Sequence, residues 1–365
     1  LPVNNLSDPI NNSSDDETVH SSNEFVAHSE LKIATFNLFN YLEPPFAYYD
    51  FERIYSAQQW AKKQRWIGDY LDEFQPDMIG FQEVFSPESL RELVLLHGYH
   101  YFAVVDEPEI VDDFICTSPV VAIASRYPIK EVQALKADGS VAVAMGLTDD
   151  FSFSRKVLRA TVELPHIGDC DCYVVHFKSK RPLFDFEHSA DLSAEKNIIE
   201  RLKAQVAGGW GATIQRGSEA ALLLVNMIER REQSGLPMIL MGDFNNTLCD
   251  GVLTHLITDS LRFAAKFDCD AFLAKYCLKD SWDLLQATDN ETKQITRKAT
   301  YYYGTTSSVL DYILLSNEFD ACCQSSLFEL SEYQTYDRHL INPIFDRDGE
   351  STDHAIVLIT LTLRS

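Results

Sequence analysis

The stretch Met238-Ile239-Leu240-Met241-Gly242-Asp243-Phe244-Asn245-Asn246 is a short apolar run that stops abruptly on polar residues. Its first four residues suit a strand buried on both faces. Gly242 lets the backbone turn tightly, and Asp243 and Asn245 then project to one side. An Asx-rich turn uses the same residues without any chemistry, so the stretch gains meaning only from its company.

That company lies on both sides of it. Ile33 to Phe36 runs into Asn37, and Met78 to Phe81 runs into Gln82 and Glu83. Tyr173 to Val175 ends on His176, with Lys178, Lys180 and Arg181 close behind. Asp311 interrupts the apolar run Leu310 to Leu315, and Asp353-His354 opens the last strand, Ala355 to Leu363. Each has a bland reading: Asn caps strands, Glu starts helices, a lone strand Asp is a hydrogen-bonded structural acid, and clustered cations are solvated.

Helix-period segments separate these strands. Ala57 to Phe74 places Trp60, Ile67, Tyr70 and Leu71 near one face, and Gln75-Pro76-Asp77 stops it. A helix from about Glu88 to His97 ends at Gly98, and further strands are expected at His100 to Val105, Val120 to Ser125, Val157 to Leu164 and Tyr301 to Tyr303. Asp191 to Ala207 reads as a helix that Gly208-Gly209-Trp210-Gly211 breaks, with a second helix from Ile214 to Arg231 and a helix-rich stretch around Val252 to Leu285. Strands outnumber crossover helices, so the pattern predicts an α+β fold, two packed and mainly antiparallel sheets with helices outside, over a doubly wound parallel sheet.

The strand-end residues make chemical sense together. A carboxylate and an amide from neighbouring strands, Glu83 and Asn37, form a hard-oxygen site for Mg²⁺ or Mn²⁺, whose octahedral shell keeps waters for a phosphate to replace. Asp243 can orient or deprotonate a water, and Asn245 can donate to charge developing on phosphorus. An acid beside His354, whether Asp353 or Asp311, can fix its tautomer or favour its protonated form. Lys178, Lys180 and Arg181 are the candidate phosphate cradle; Arg155, Lys156 and Arg159 form a second cationic cluster.

Composition narrows the function classes. The 365 residues, 45% hydrophobic, exclude a disordered or fibrous chain. Against 31 basic residues stand 55 acids, a net charge of −24 that opposes loose polyanion binding and favours a small or metal-bridged substrate over long duplex DNA. Residues 1–30 hold six acids and no Lys or Arg and read as a flexible tail, leaving 31–365 as one domain. Eight cysteines without paired C-x-x-C spacing read as reduced or inert thiols, with one or two long-range disulfides the alternative. No 18-residue apolar run occurs, so no transmembrane segment is expected. The chain begins at Leu1 without a basic-then-apolar leader; the missing initiator Met leans the expectation slightly to an exported, periplasmic or extracellular protein, with a cytoplasmic one the alternative.

The ordered series Thr35-Phe36-Asn37, Gln82-Glu83, Val175-His176, Gly242-Asp243-Phe244-Asn245, Leu310-Asp311-Tyr312 and Asp353-His354 resembles the endonuclease/exonuclease/phosphatase superfamily, the DNase I-like proteins. The resemblance spans about Leu31 to Leu363 and implies a four-layered α/β sandwich with its site at one end of two facing sheets. It implies Glu83, with Asn37 beside it, at the divalent metal; Asp243 at the attacking water; and Asn245 at the transition state. His354 matches the phosphate-contacting histidine, Asp311 and Asp353 the surrounding acids, and His176 the histidine of phosphatase-like and sphingomyelinase-like branches. Within the superfamily, His176 through Arg181 with Arg216 and Glu219-Ala220 looks most like a bacterial, extracellular-nuclease-like branch. The expectation is a monomeric Mg²⁺- or Mn²⁺-dependent phosphoesterase, a nuclease or other phosphodiesterase, with nucleic acid among its substrates. A phosphomonoesterase or phospholipid headgroup hydrolase is the alternative. A non-catalytic binding protein on the same fold would show a broken motif, and none is broken.

Overall fold

In a computed structural model of the protein, residues 29–262, 269–288 and 296–364 are described. The expected acidic tail lies, up to residue 28, outside them, as does part of the helix-rich stretch. The strands of the two large sheets are, in chain order, β1 (Glu30–Tyr41), β2 (Met78–Val84), β3 (Tyr101–Val104), β4 (Val120–Ser125), β5 (Ile129–Ala134), β6 (Leu158–Leu164), β7 (Gly168–His176), β8 (Met238–Asp243), β9 (Lys279–Asp280), β10 (Asp311–Leu315), β11 (Phe328–Tyr336) and β12 (Ile356–Leu363).

The first sheet runs β11-β12-β1-β2-β4-β3 and the second β9-β10-β8-β7-β6-β5, six strands each. Each has one parallel pair at its centre, β1/β2 and β7/β8; the other neighbours are antiparallel. Parallel strands need a crossover, and the helices α1 (Ala57–Phe74) and α3 (Ala194–Ser234) supply the two that are needed. Consequently β1 and β2 end together, β7 and β8 end together, and the polar residues of all four meet at one edge of the sandwich.

Three apolar layers hold it. Ile33, Met78, Val174, Ile239, Ile313 and Val357 fill the space between the sheets. Phe36, Ile79 and Phe81 on the far face of the first sheet pack against Trp60, Trp66 and Ile67 of α1 and Leu90 and Val94 of α2 (Pro87–Leu96). Tyr173, Val175 and Leu240 on the far face of the second pack against Ala220, Leu223 and Met227 of α3. The expected sandwich of two mainly antiparallel sheets flanked by helices is therefore what forms. Ser56 starts α1 with a capping box to Gln59, worth about 1 kcal/mol, and Gln75, at φ 47°, ends it where Pro76 follows.

The break expected at Gly208-Gly209-Trp210-Gly211 does not occur. α3 is one helix of 41 residues. Gly208 and Gly211 lie where another segment presses on it: the Leu183 amide donates to the Gly208 carbonyl at 3.0 Å, and a Cβ on Gly208 would sit 2.7 Å from the Phe184 carbonyl oxygen. Each interior glycine costs about 1 kcal/mol relative to alanine, which the rest of a long helix absorbs. Strands β5 and β11, which were not anticipated, are the outermost members of their sheets, and β5 is largely exposed. Edge strands need no continuous apolar run. Each of the eight cysteines is a free thiol, and no described helix is long and apolar enough to cross a membrane.

Candidate active site

The polar strand ends border a cavity of about 930 Å³. Glu83, His176, Asp243, Asn245, Asp353 and His354 line it. Asn37 and Asp311 lie just behind, both fully buried.

Two side-chain bonds cross between the sheets there. The Asn37 amide of β1 donates to Asp243 Oδ2 of β8 at 3.1 Å, and His354 Nδ1, just before β12, meets Asp311 Oδ2 of β10 at 2.8 Å. Asp243 and Asp311 face each other in the β8/β10 register, and His176 Nε2 stands 3.4 Å and His354 Nε2 3.8 Å from Asp243 Oδ2. The His354 main-chain carbonyl is held by His339 Nε2 at 2.9 Å.

The backbone is forced at the same place. The β1/β2 register shifts after Asn37, and within the bulge Phe39 and Asn40 adopt left-handed φ of 49° and 55°, with Glu83 opposite at 60° and Asn245 at 52°. Bulges re-aim side chains beside sites, and such φ values persist only where surroundings impose them. Here the bulge turns the Asn40 amide onto Glu83 Oε2 at 2.9 Å. Gly242 is obligatory, since a Cβ would lie 2.0 Å from the Val175 carbonyl oxygen of the adjacent strand.

Burial and neighbouring charges set the proton affinities. Desolvation pushes Asp243 up to about 7, opposed by His354 and reinforced by Asp311, and pushes Asp353 up to about 6 against the pull of His354. Burial opposes protonation of His354, but Asp311, Asp243 and Asp353 together outweigh it and hold its pKa well above the usual value. Burial, with Arg155 and His354 nearby, keeps His176 well below it. Two histidines in one cavity are thus driven to opposite charge states.

Oxygen atoms wait unpartnered around Glu83. Asn40 Oδ1 and Asp353 Oδ1 are buried and accept no hydrogen bond; Asn37, expected beside them, instead turns its amide nitrogen toward Glu83 Oε1 at a long 3.5 Å, and its Oδ1 accepts from the Phe39 main-chain amide at 3.0 Å. Such a set of hard oxygens fits a small divalent cation. Asp243, Asp311 and His354 also bring ligand atoms within 4.8 Å of one another, a second group that could hold a cation, with His354 Nδ1 on Asp311 and Nε2 toward Asp243.

The mouth is cationic and aromatic. Arg53, Arg155, Lys180 and Arg181 line it with Tyr48, Tyr49, Tyr301 and Tyr303, and the Arg181 guanidinium lies 5.8 Å from the Tyr49 ring centre. Lys178 does not join them: its ammonium donates to the Arg181 carbonyl at 2.8 Å within its own loop. The second cationic cluster divides, with Arg155 in the lining, Lys156 on Asp106 and a buried Arg159 on Glu131. The Lys178 and Ser179 backbone is clamped by α3, through Glu219 accepting from the Lys178 amide at 2.7 Å and Arg216 donating to the Lys178 carbonyl at 3.0 Å.

Sequence reasoning missed Asn40, which the bulge brings in, and Lys63, a fully buried lysine that donates to the Ser351 carbonyl at 2.9 Å. Burial lowers Lys63 to about 8 despite Asp353 and Glu83 nearby. One signal for it existed: Lys63 falls three after Trp60 and four before Ile67, inside the apolar stripe of α1.

The pattern of the Endonuclease/Exonuclease/phosphatase family matches residues 34–354. No curated protein matches the sequence as a relative. Among solved structures, the human Nocturnin catalytic domain with bound sulfate is similar at 14% identity and TM-score 0.52, over 92% of this chain and 95% of that one. A D. rerio TDP2 humanized by 14 mutations is similar at 13% and 0.50, over 92% and 99%. A truncated Caenorhabditis elegans TDP2 is similar at 12% and 0.50, over 91% and 97%. At these identities the likeness concerns the fold.

Proposed function

The chain belongs to the endonuclease/exonuclease/phosphatase family, hydrolases of phosphate esters, and from that premise we propose that it is a divalent-metal-dependent phosphodiesterase. The observation that carries this reading is the pair of couples joined across the two sheets, Asn37–Asp243 and Asp311–His354, under a cation-lined mouth.

The roles follow from the geometry. Asp243, as carboxylate, accepts a proton from a water placed at Oδ2. As the new P–O bond forms and the bond to the leaving oxygen breaks, charge grows on the phosphoryl oxygens. His354 meets it with its Nε2 proton, because Nδ1 faces Asp311. Asn245, whose amide donates to the Phe177 carbonyl at 2.9 Å, stands in the lining to donate there too. Glu83 with Asn40 and Asp353 would hold Mg²⁺ or Mn²⁺, which when bound would neutralise phosphoryl charge, while Asn37, its Oδ1 taken by the Phe39 amide, holds Asp243. Arg155, Lys180 and Arg181 draw the ester in. Tyrosine faces beside them suit a second ester group and support a diester over a monoester.

The test is hydrolysis of bis-p-nitrophenyl phosphate and p-nitrophenyl phosphate with Mg²⁺ and with EDTA, using His354→Ala as blank. Metal-dependent diester turnover absent from the variant is expected. Turnover of the monoester alone, or diester turnover equal in the variant, would overturn the reading. A lipid headgroup diester is the second reading, favoured by the apolar ridge described next.

A further inference from the structure

Half of α3 stands clear of the body with its apolar side outward. Ile198, Leu202, Val206, Trp210 and Ile214 follow one another every four residues and are 68, 60, 67, 65 and 43% exposed. Packed helices bury such a stripe, and here the packed side is the opposite one. Asn197 and Gly208 are buried there against the segment that follows Arg181: Asn197 bonds the Ser189 carbonyl at 2.9 Å, and Gly208 bonds Leu183.

The segment packed against α3 leads from the mouth of the site, whose lining includes Lys180 and Arg181. Its Leu183 and Phe184 are half exposed and follow Arg181 after Pro182. Beyond Arg181 the Tyr49 ring begins a second exposed apolar loop, carrying Phe51 at 61% exposure and Ile54 at 40%. Apolar surface therefore rises on both sides of the cations that line the cavity.

Charge selects the occupant. The chain carries −24 overall and is repelled by anionic surfaces. Along residues 194–214, however, Lys196, Arg201 and Lys203 nearly balance Glu195 and Glu200; Lys196 and Lys203 pair with Glu200, and Arg201 with Asp185. A nearly neutral apolar ridge with an exposed tryptophan suits a zwitterionic interface, where apolar burial supplies the affinity and tryptophan favours headgroup depth.

We propose that the ridge Ile198–Leu202–Val206–Trp210–Ile214 with Leu183 and Phe184 docks on a zwitterionic phospholipid surface and brings headgroup phosphates to the cationic mouth. The choice of substrate rests on the phosphodiesterase reading; the docking itself does not.

The test is sedimentation of the full chain with phosphatidylcholine vesicles in EDTA, so that binding is read without turnover. Leu202→Glu/Trp210→Glu places two charges on exposed positions of the ridge, and Val132→Glu does the same on exposed β5. The wild type and Val132→Glu should pellet with vesicles, the ridge variant should bind roughly tenfold more weakly or not at all, and Trp210 emission should shift to the blue. Soluble diester turnover should be equal in all three. Wild-type protein left in the supernatant, or equal binding by the ridge variant, would overturn the proposal. So would a wild-type dimer that the ridge variant returns to monomer without vesicle binding, which would make the ridge a contact between copies. Vesicle binding without any diester turnover would sink the phosphodiesterase reading and leave the surface standing.

Discussion

The two sheets are near copies in plan, six strands around one central parallel pair, yet they bring different chemistry to the shared edge. The first contributes Asn37, Glu83, Asp353 and His354, mostly oxygen ligands with unpartnered atoms near them. The second contributes His176, Asp243, Asp311 and Asn245; burial holds the pKa of His176 well below its usual value and raises that of Asp243. His176 and Asp243 meet within the second sheet, whereas each of the two linking bonds, Asn37–Asp243 and Asp311–His354, has one partner on each side. The inter-sheet core therefore fixes the spacing of the groups that the two sheets bring to the cavity.

The sharpest way to break this division is Asp243→Asn, which removes the proton acceptor of the second sheet. Diester turnover should fall about 10³-fold or more while thermal unfolding stays near wild type; retained turnover would show that the second sheet does not supply the base. Glu83→Gln tests the first sheet. It should raise the Mg²⁺ concentration needed for half-maximal rate roughly tenfold or more, read by metal titration, and an unchanged requirement would move the cation elsewhere.

Next in size is a pH effect that joins the sheets. Asp243 must ionise to act, so the rate should fall as pH drops through about 7. His354 must stay protonated, so the rate should also fall at higher pH, where His354 deprotonates. Asp311→Asn removes a carboxylate that holds the proton on His354, so that alkaline limb should move to lower pH, by about one unit or more. An unmoved limb would mean that the couple is structural.

The smallest effect concerns the rim. Lys180→Ala or Arg181→Ala should raise KM several-fold, about 1 kcal/mol, with kcat nearly unchanged. Lys178→Ala should change neither, since its ammonium is folded onto its own loop; an equal rise in KM for Lys178→Ala would show that the loop opens on binding.

How much of this was legible can be followed residue by residue. Central strands announced themselves because both faces are buried and only continuous apolar runs satisfy that, as in Met238–Asp243. The edge strand Phe328–Tyr336 did not, because its alternating polar residues resemble a loop. The helix through Gly208 was misread because glycine weakens a helix locally, whereas its reason here is the segment pressed against it. Lys63 was hidden because a lysine is ordinarily solvated, and only the partners around it explain its burial.

The sequence by itself determined the central strands, the family pattern and the residue types at the strand ends, since continuous apolar runs and terminal polar residues are local properties of a chain. Only the tertiary structure decided which acid serves His354, that Asn37 reaches Asp243, that Lys178 turns away while Arg155 turns in, and that half of a helix lies bare beside the mouth. Asn37 and Asp243 lie 206 positions apart in the chain. Their meeting depends on how two sheets pack, and packing is a property of the whole core.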